Sequence, residues 1–231
     1  MSATARPLVV LGSGGAAREV AQLLRACPDA ASVPVAVAGF LDDDPARAGT
    51  AVDGVPVLGP TGEAADHAAR GALLLACVGK PGAPASRQRL VDRLGLPDEV
   101  WATVVHPLAS VSPDSTVGAG SVLHAGVVLT AAVTVGRHVY LMPHVVLTHD
   151  DDVGDAATSG AGVRLAGGVS VGAAAYLGSG ALVREHRRIG AGAVVGMGSV
   201  VLRDVPPGQT WAGNPARPLT PSPAALLEAS L

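Results

Sequence analysis

The sequence predicts a parallel β-helix preceded by a smaller parallel α/β unit, on three observations. First, from residue 111 every sixth residue is a small aliphatic one, from Val111, Val117 and Leu123 through to Val201. Fifteen aliphatics and one Ser (Ser159) fill sixteen slots with no slip of register. A fixed six-residue period is the signature of a parallel β-helix. Three hexads close one triangular coil, so residues 18 apart stack at the strand spacing of roughly 4.8 Å. Second, hydrophobic residues make up 48% of the chain but aromatic ones only 2%. The core is therefore built from Val, Ala and Leu, which suit the narrow inside of such a coil. Third, residues 7–105 lack the hexad and alternate between apolar runs and helix-like stretches, the pattern of a parallel α/β sheet.

The elements follow in order. Residues 7–11 form a buried strand, Gly12-Ser13-Gly14-Gly15 a turn, and 16–26 a helix with Val20, Leu23 and Leu24 at helical spacing. Residues 33–41 are a second strand that runs into Asp42-Asp43-Asp44-Pro45. A third strand over 73–78 ends at Gly79, and 86–94 is a short amphipathic helix. Gly95-Leu96-Pro97 breaks it, and 100–105 is extended. His106-Pro107 then opens the hexad array, which occupies about 110–205. Residues 208–218 leave the register, and 221–231 read as a tail with a terminal helix over 224–229. The domain reading is 1–105, 106–218 and a tail at 219–231. No long loop interrupts the hexads, so an active site lies on the prism's own faces or corners.

Composition excludes several classes. The net charge is −3 and no basic run occurs, so neither nucleic acid nor an anionic membrane is an expected partner. Two cysteines, Cys27 and Cys77, point to reduced thiols rather than a disulfide framework. The first apolar run breaks at Gly12, too soon for a secretory signal, and no run approaches the ~20 residues of a membrane span. The expected location is the cytoplasm.

Gly12-x-Gly14-x-x-Ala17 follows a strand and opens a helix. Small residues there let the backbone approach a phosphate, and the helix start supplies N–H donors. Asp42 and Asp43 close the second strand, where they can meet ribose hydroxyls or a ligand amine. The plainer alternatives are a packing turn and a solvated acidic turn before Pro45. Fewer than about 100 residues of α/β precede the array, half of a full dinucleotide fold, so a redox cofactor is not favoured.

Four of the seven histidines, His124, His138, His144 and His149, fall in the first half of the array. His149 stands in Thr148-His149-Asp150-Asp151-Asp152. A carboxylate neighbour fixes the tautomer of an imidazole and suits it to act as a general base. Adding one coil of 18 residues to 149 gives Gly167, within Ala166-Gly167-Gly168. Glycines stacked on a histidine leave room for a ligand and expose N–H groups to a developing oxyanion. His138 and His144 lie one hexad apart, but no third ligand keeps register, so no metal is expected. His186, in Arg184-Glu185-His186-Arg187-Arg188, is either a solvated corner or a contact for a phosphate-bearing ligand.

These residues together resemble a known family. The order is Gly12-x-Gly14-Gly15-x-x-Arg18-Glu19, Gly39-Phe40-Leu41-Asp42-Asp43-Asp44-Pro45, His106-Pro107-x-Ala109-x-Val111, His149-Asp150-x-x-Val153-Gly154-Asp155, Leu165-Ala166-Gly167-x-Val169, and Gly213-Asn214-Pro215-Ala216-Arg217. Nearly the whole chain is similar to the sugar O- and N-acyltransferases typified by sialic-acid O-acetyltransferases and UDP-4-amino-sugar N-acetyltransferases of the bacillosamine pathway. The resemblance implies a left-handed β-helix behind a Rossmann-like domain. It also implies a homotrimer with an active site in each cleft between adjacent helices, acetyl-CoA or another acyl-CoA as co-substrate, and no metal. It places the catalytic base on His149, its acidic partner on Asp150, and the acyl-CoA and oxyanion contacts on Ala166, Gly167 and Gly168. The nucleotide or sugar falls to Gly12, Ser13, Gly14, Gly15, Arg18, Asp42, Asp43 and Gly79. Two acceptor-pocket positions depart from the amino-sugar members: Met142 replaces an Asn, and Thr158 replaces a His. Lys80-Pro81 departs as well. The expected acceptor is therefore an amine or hydroxyl of a sugar, with a nucleotide-linked amino sugar first, or, given the departures, a free amine or natural-product intermediate. A non-catalytic nucleotide-binding trimeric scaffold is the reading outside enzymology.

Overall fold

A computed structural model describes residues 5–219. Nearly all of the expected tail, and the helix expected over 224–229, lie outside the described residues. The first part is a five-stranded sheet. Strands β1 (Arg6–Leu11), β2 (Val35–Leu41), β3 (Ala51–Val52), β4 (Val55–Gly59) and β5 (Leu73–Ala76) lie in the order β3-β4-β2-β1-β5. β1 pairs parallel with both β2 and β5, and β2 with β4. β1 and β5 are apolar throughout their paired residues because helices cover both faces of the sheet. Helix α1 (Gly15–Ala26) buries Ala17, Val20, Ala21, Leu23 and Leu24. Helices α2 (Ala64–Ala69) and α3 (Ser86–Leu94) follow.

Three expectations need correction. The strand expected over 73–78 ends at Ala76, because its partner β1 ends at Leu11, whose carbonyl takes the Cys77 N–H. The strand expected from residue 33 begins at Val35, since Pro34 breaks the run. The segment expected to be extended over 100–105 opens with a 3-10 turn, Asp98–Val100, and only Val104–Val105 is a strand. Sequence reading also missed the β3–β4 hairpin. Its two-residue turn, Asp53-Gly54, has φ 49° and 77°, the left-handed pair that Asp-Gly favours.

The second part is a three-sided parallel coil. Seventeen two-residue strands run from Val104–Val105 to Val200–Val201. Through Leu182–Val183 each pairs with the strand 18 residues on: Leu129 pairs with Val111 on one side and Leu147 on the other. The hexad aliphatics are the second residue of each strand and point inward; from Leu123 to Val201 all are buried. Ser159, the exception, also points in, and its hydroxyl has no partner. Every sixth residue of another phase, including His138, His144, Asp150 and His186, turns a corner with positive φ. The register slips near the end, where Val205 bridges Ile189 sixteen residues back. Thr210–Gly213 and Ala216–Pro218 then close the coil as an antiparallel pair.

The two parts share one core. Leu8 and Phe40 of the sheet and Val20 of α1 pack in one cluster with Val104, Val122 and Tyr140 of the coil. Arg87 of α3 bolts this joint. It is 3% exposed and donates to the carbonyls of Val78 (3.1 Å) and His138 (2.7 Å).

Candidate active site

His149 lies at a coil corner, and the hexad sets its neighbours. Its Nδ1 bonds Asp150 Oδ2 at 2.8 Å. A carboxylate accepts from an N–H, so Nδ1 carries a proton, and in the neutral imidazole Nε2 keeps its lone pair. One coil further, the carbonyl of His149 accepts from the Gly168 N–H at 2.9 Å. The imidazole edge lies against Gly167. A Cβ built on Gly167 would collide with Cε1 and Nε2 of the ring. Only glycine allows this approach. The Gly167 N–H makes no hydrogen bond among the described residues, while the N–H groups of Ala166 and Gly168 are taken by Val183 and His149. A basic nitrogen and a free N–H donor therefore stand side by side. His186 stacks one coil beyond, over Gly168.

The turn after β1 is built for close approach. Gly12 has φ 97°, and a side chain there would strike Val78 and the Cys77 carbonyl. Gly14 caps α1 without a side-chain bond, and the first turn holds no acidic residue, so its N–H donors stay open. Asp42 Oδ2 accepts from both the N–H and the hydroxyl of the buried Ser13, and Arg47 donates to Ser13 Oγ at 2.9 Å. Despite its partial burial, these bonds hold the Asp42 carboxyl below its usual range. Asp43 accepts from the Thr61 N–H at 2.8 Å and pairs with Arg93. Gly12, Ser13, Gly14, Gly15, Asp42 and Gly79 line a cavity of about 460 Å³. It runs into a second of about 520 Å³ past Asp43, Thr61 and Arg93.

Arg18 does not join that cleft. Helical phase turns it to the other flank of α1, where it pairs with Asp53 at 2.7 Å. There it lines a separate cavity of about 640 Å³ with Glu19, His106, His124 and Pro143. Gly15 borders both cavities. His124 Nε2 bonds Tyr140 Oη at 2.8 Å. Met142 packs against the shared core. Thr158 Oγ1 accepts from Arg87 Nη2 at 2.8 Å, close to Gly79. His138 is buried edge-on to Trp101 at 4.7 Å, whereas His144 is exposed on the next corner. Among the described residues no cluster of three or more metal-ligating side chains forms, and no helix is long and apolar enough to cross a membrane.

A three-sided hexapeptide coil with an imidazole set against bare main chain defines an acyltransferase. Solved structures specify the class further. The GDP-perosamine N-acetyltransferase PerB from Caulobacter crescentus, in complex with CoA and GDP-perosamine, is 34% identical, with 93% of this chain and 97% of that chain covered and a TM-score of 0.80. The acetyltransferase domain of PglB from Neisseria gonorrhoeae, in complex with acetyl coenzyme A, is 29% identical over 94% of this chain and all of that one, with a TM-score of 0.81. WeeI from Acinetobacter baumannii is 26% identical over 93% of this chain and all of that one, with a TM-score of 0.75. No protein-family model matches the chain, and no curated protein does. The chain belongs to the left-handed β-helix, hexapeptide-repeat family of sugar N-acetyltransferases.

Proposed function

We propose that this enzyme transfers an acetyl group from acetyl-CoA to the amine of a nucleotide-linked amino sugar. The contact of His149 with Gly167 carries the reading. His149 Nε2 takes a proton from the acceptor amine as its nitrogen attacks the thioester carbonyl. The new C–N bond forms, the C–S bond breaks, and the imidazolium returns its proton to the leaving thiolate. Asp150 holds Nδ1–H and offsets the charge of the imidazolium. The Gly167 N–H faces the oxyanion, an interaction worth roughly 3–4 kcal/mol in comparable sites. Cys77 is buried in the sheet part with its thiol pushed up to about 12 by burial, so it offers no thiolate for a covalent acyl-enzyme.

Residues 1–105, as a Rossmann-like domain, bind the nucleotide in the Gly12–Asp42 cleft, and 106–218 carry out transfer. Relatives bound to GDP-perosamine with CoA and to acetyl coenzyme A support the use of both ligand classes. The assembly is a homotrimer with acyl-CoA in the groove between adjacent coils. The His149 side chain is 64% exposed in the single chain, and a neighbouring coil would supply the other wall of its site. The deciding assay is CoA release from acetyl-CoA with GDP-, UDP- and dTDP-linked 4-amino sugars. Turnover with one nucleotide series supports the proposal. Turnover only with free amines, or none with any acceptor, overturns it.

A further inference from the structure

Asp150-Asp151-Asp152 are three consecutive carboxylates in the sequence, but the structure separates them. Asp150 and Asp152 are exposed, whereas Asp151 is 1% exposed. It occupies a second buried position of the hexad, two residues before the aliphatic slot, which Val145, Ala157, Val163 and Val169 fill on neighbouring rungs. Its two oxygens divide between two coils. Oδ2 accepts from the Thr148 N–H at 2.8 Å, and Oδ1 accepts from the Val169 N–H at 2.8 Å. Thr148 immediately precedes His149, and Val169 lies two residues past Gly167. Thr148 Oγ1 adds a bond to the Leu165 carbonyl at 3.0 Å.

We infer that Asp151 is a positioning residue, which clamps the main chain before His149 to the main chain after Gly167 and so fixes the imidazole relative to the Gly167 N–H. The inference rests on the catalytic reading of His149. A carboxylate is suited to the task because it is acceptor-only and bonds two N–H groups at once. Coil stability alone does not call for it. The neighbouring rungs hold without a carboxylate in this slot, and on an earlier coil Ser121 Oγ takes the equivalent Val139 N–H at 2.9 Å.

Four variants test it: Asp151→Val, Asp151→Asn, Ser121→Val and His149→Ala. Melting temperature, kcat and the KM for acetyl-CoA are measured for each full-length protein. Asp151→Val places the usual residue in the slot and removes both bonds. Its kcat is expected to fall at least about tenfold, as small misplacements of reacting groups do, with the KM for acetyl-CoA within about threefold of wild type. Asp151→Asn keeps one acceptor and falls in between. Ser121→Val loses the same kind of bond away from His149 and keeps kcat within about twofold of wild type. Equal loss of kcat in Asp151→Val and Ser121→Val, or wild-type kcat in Asp151→Val, overturns the inference. If Asp151→Val does not fold, Asp151→Asn decides on the same terms. Full turnover by His149→Ala overturns the catalytic reading beneath it, a separate outcome.

Discussion

Arg87 Nη2 donates to Thr158 Oγ1 at 2.8 Å across the joint between helix and coil. The guanidinium has no carboxylate partner within ion-pair distance among the described residues. Its charge is met by the Val78 and His138 carbonyls and by the face of Tyr140 at 5.5 Å. Arg87→Ala leaves both buried carbonyls without this donor. The expected loss is about 3 kcal/mol or more of unfolding free energy in urea, since each orphaned acceptor costs ~1–3 kcal/mol. A loss below about 1 kcal/mol would mean that the carbonyls find other donors.

Ser159 sits in the core column between Leu141 and Leu177 with an unpartnered hydroxyl. Ser159→Ala removes that buried polar group and leaves only a small void. Stability is expected to rise by about 1 kcal/mol, read as a higher midpoint in thermal unfolding. A lower midpoint would show that the hydroxyl has a partner.

Burial holds His124 and His138 down to about 4, against ~6.5 unfolded. Between these values the native state binds fewer protons than the unfolded one. Their contribution is therefore complete above pH ~6.5 and is lost as pH falls through about 4. Asp151 opposes them. Burial pushes it up to about 6, so its contribution is complete below the unfolded carboxylate value and is lost as pH rises through 6. Two histidines outweigh one carboxylate displaced by a similar amount. The melting temperature is expected to fall from pH 6.5 to 4. His138→Phe should flatten that fall, because His138 makes no side-chain hydrogen bond. A melting temperature that rises on acidification contradicts the assignment.

Asp42 organises the Gly12 turn through Ser13 and lies far in sequence from His149. Asp42→Ala is expected to raise the KM for the nucleotide-sugar acceptor about tenfold or more, the scale of one lost charged hydrogen bond. The KM for acetyl-CoA stays unchanged. Equal changes in both constants would reject the division of labour between the two parts.

Much of this was legible in the sequence because the hexad fixes side-chain direction. One addition of 18 was enough to set His149 against Gly167. Helix 86–94 was legible to the residue. Other features carried weaker signals. Beside Asp53-Gly54, β3 is two residues long and β4 is apolar from Val55 to Leu58, so neither shows polar alternation in sequence, although the dipeptide itself marks a hairpin. Arg18 belongs to the right motif but to the wrong flank of α1, and only the pairing with Asp53 fixes its direction. The corner positions mix Gly, Ala, His and Asp, so their shared left-handed conformation is hidden. The burial of Asp151 is hidden by its two exposed neighbours.

The most direct test of the account is the kcat of His149→Ala at saturating acetyl-CoA and acceptor, with CoA affinity measured on the same protein. Loss of the base predicts a fall of at least about 100-fold with CoA affinity and melting temperature retained. Turnover within about tenfold of wild type would show that the proton leaves by another route and that the pairing of His149 with Gly167 is not the catalytic centre.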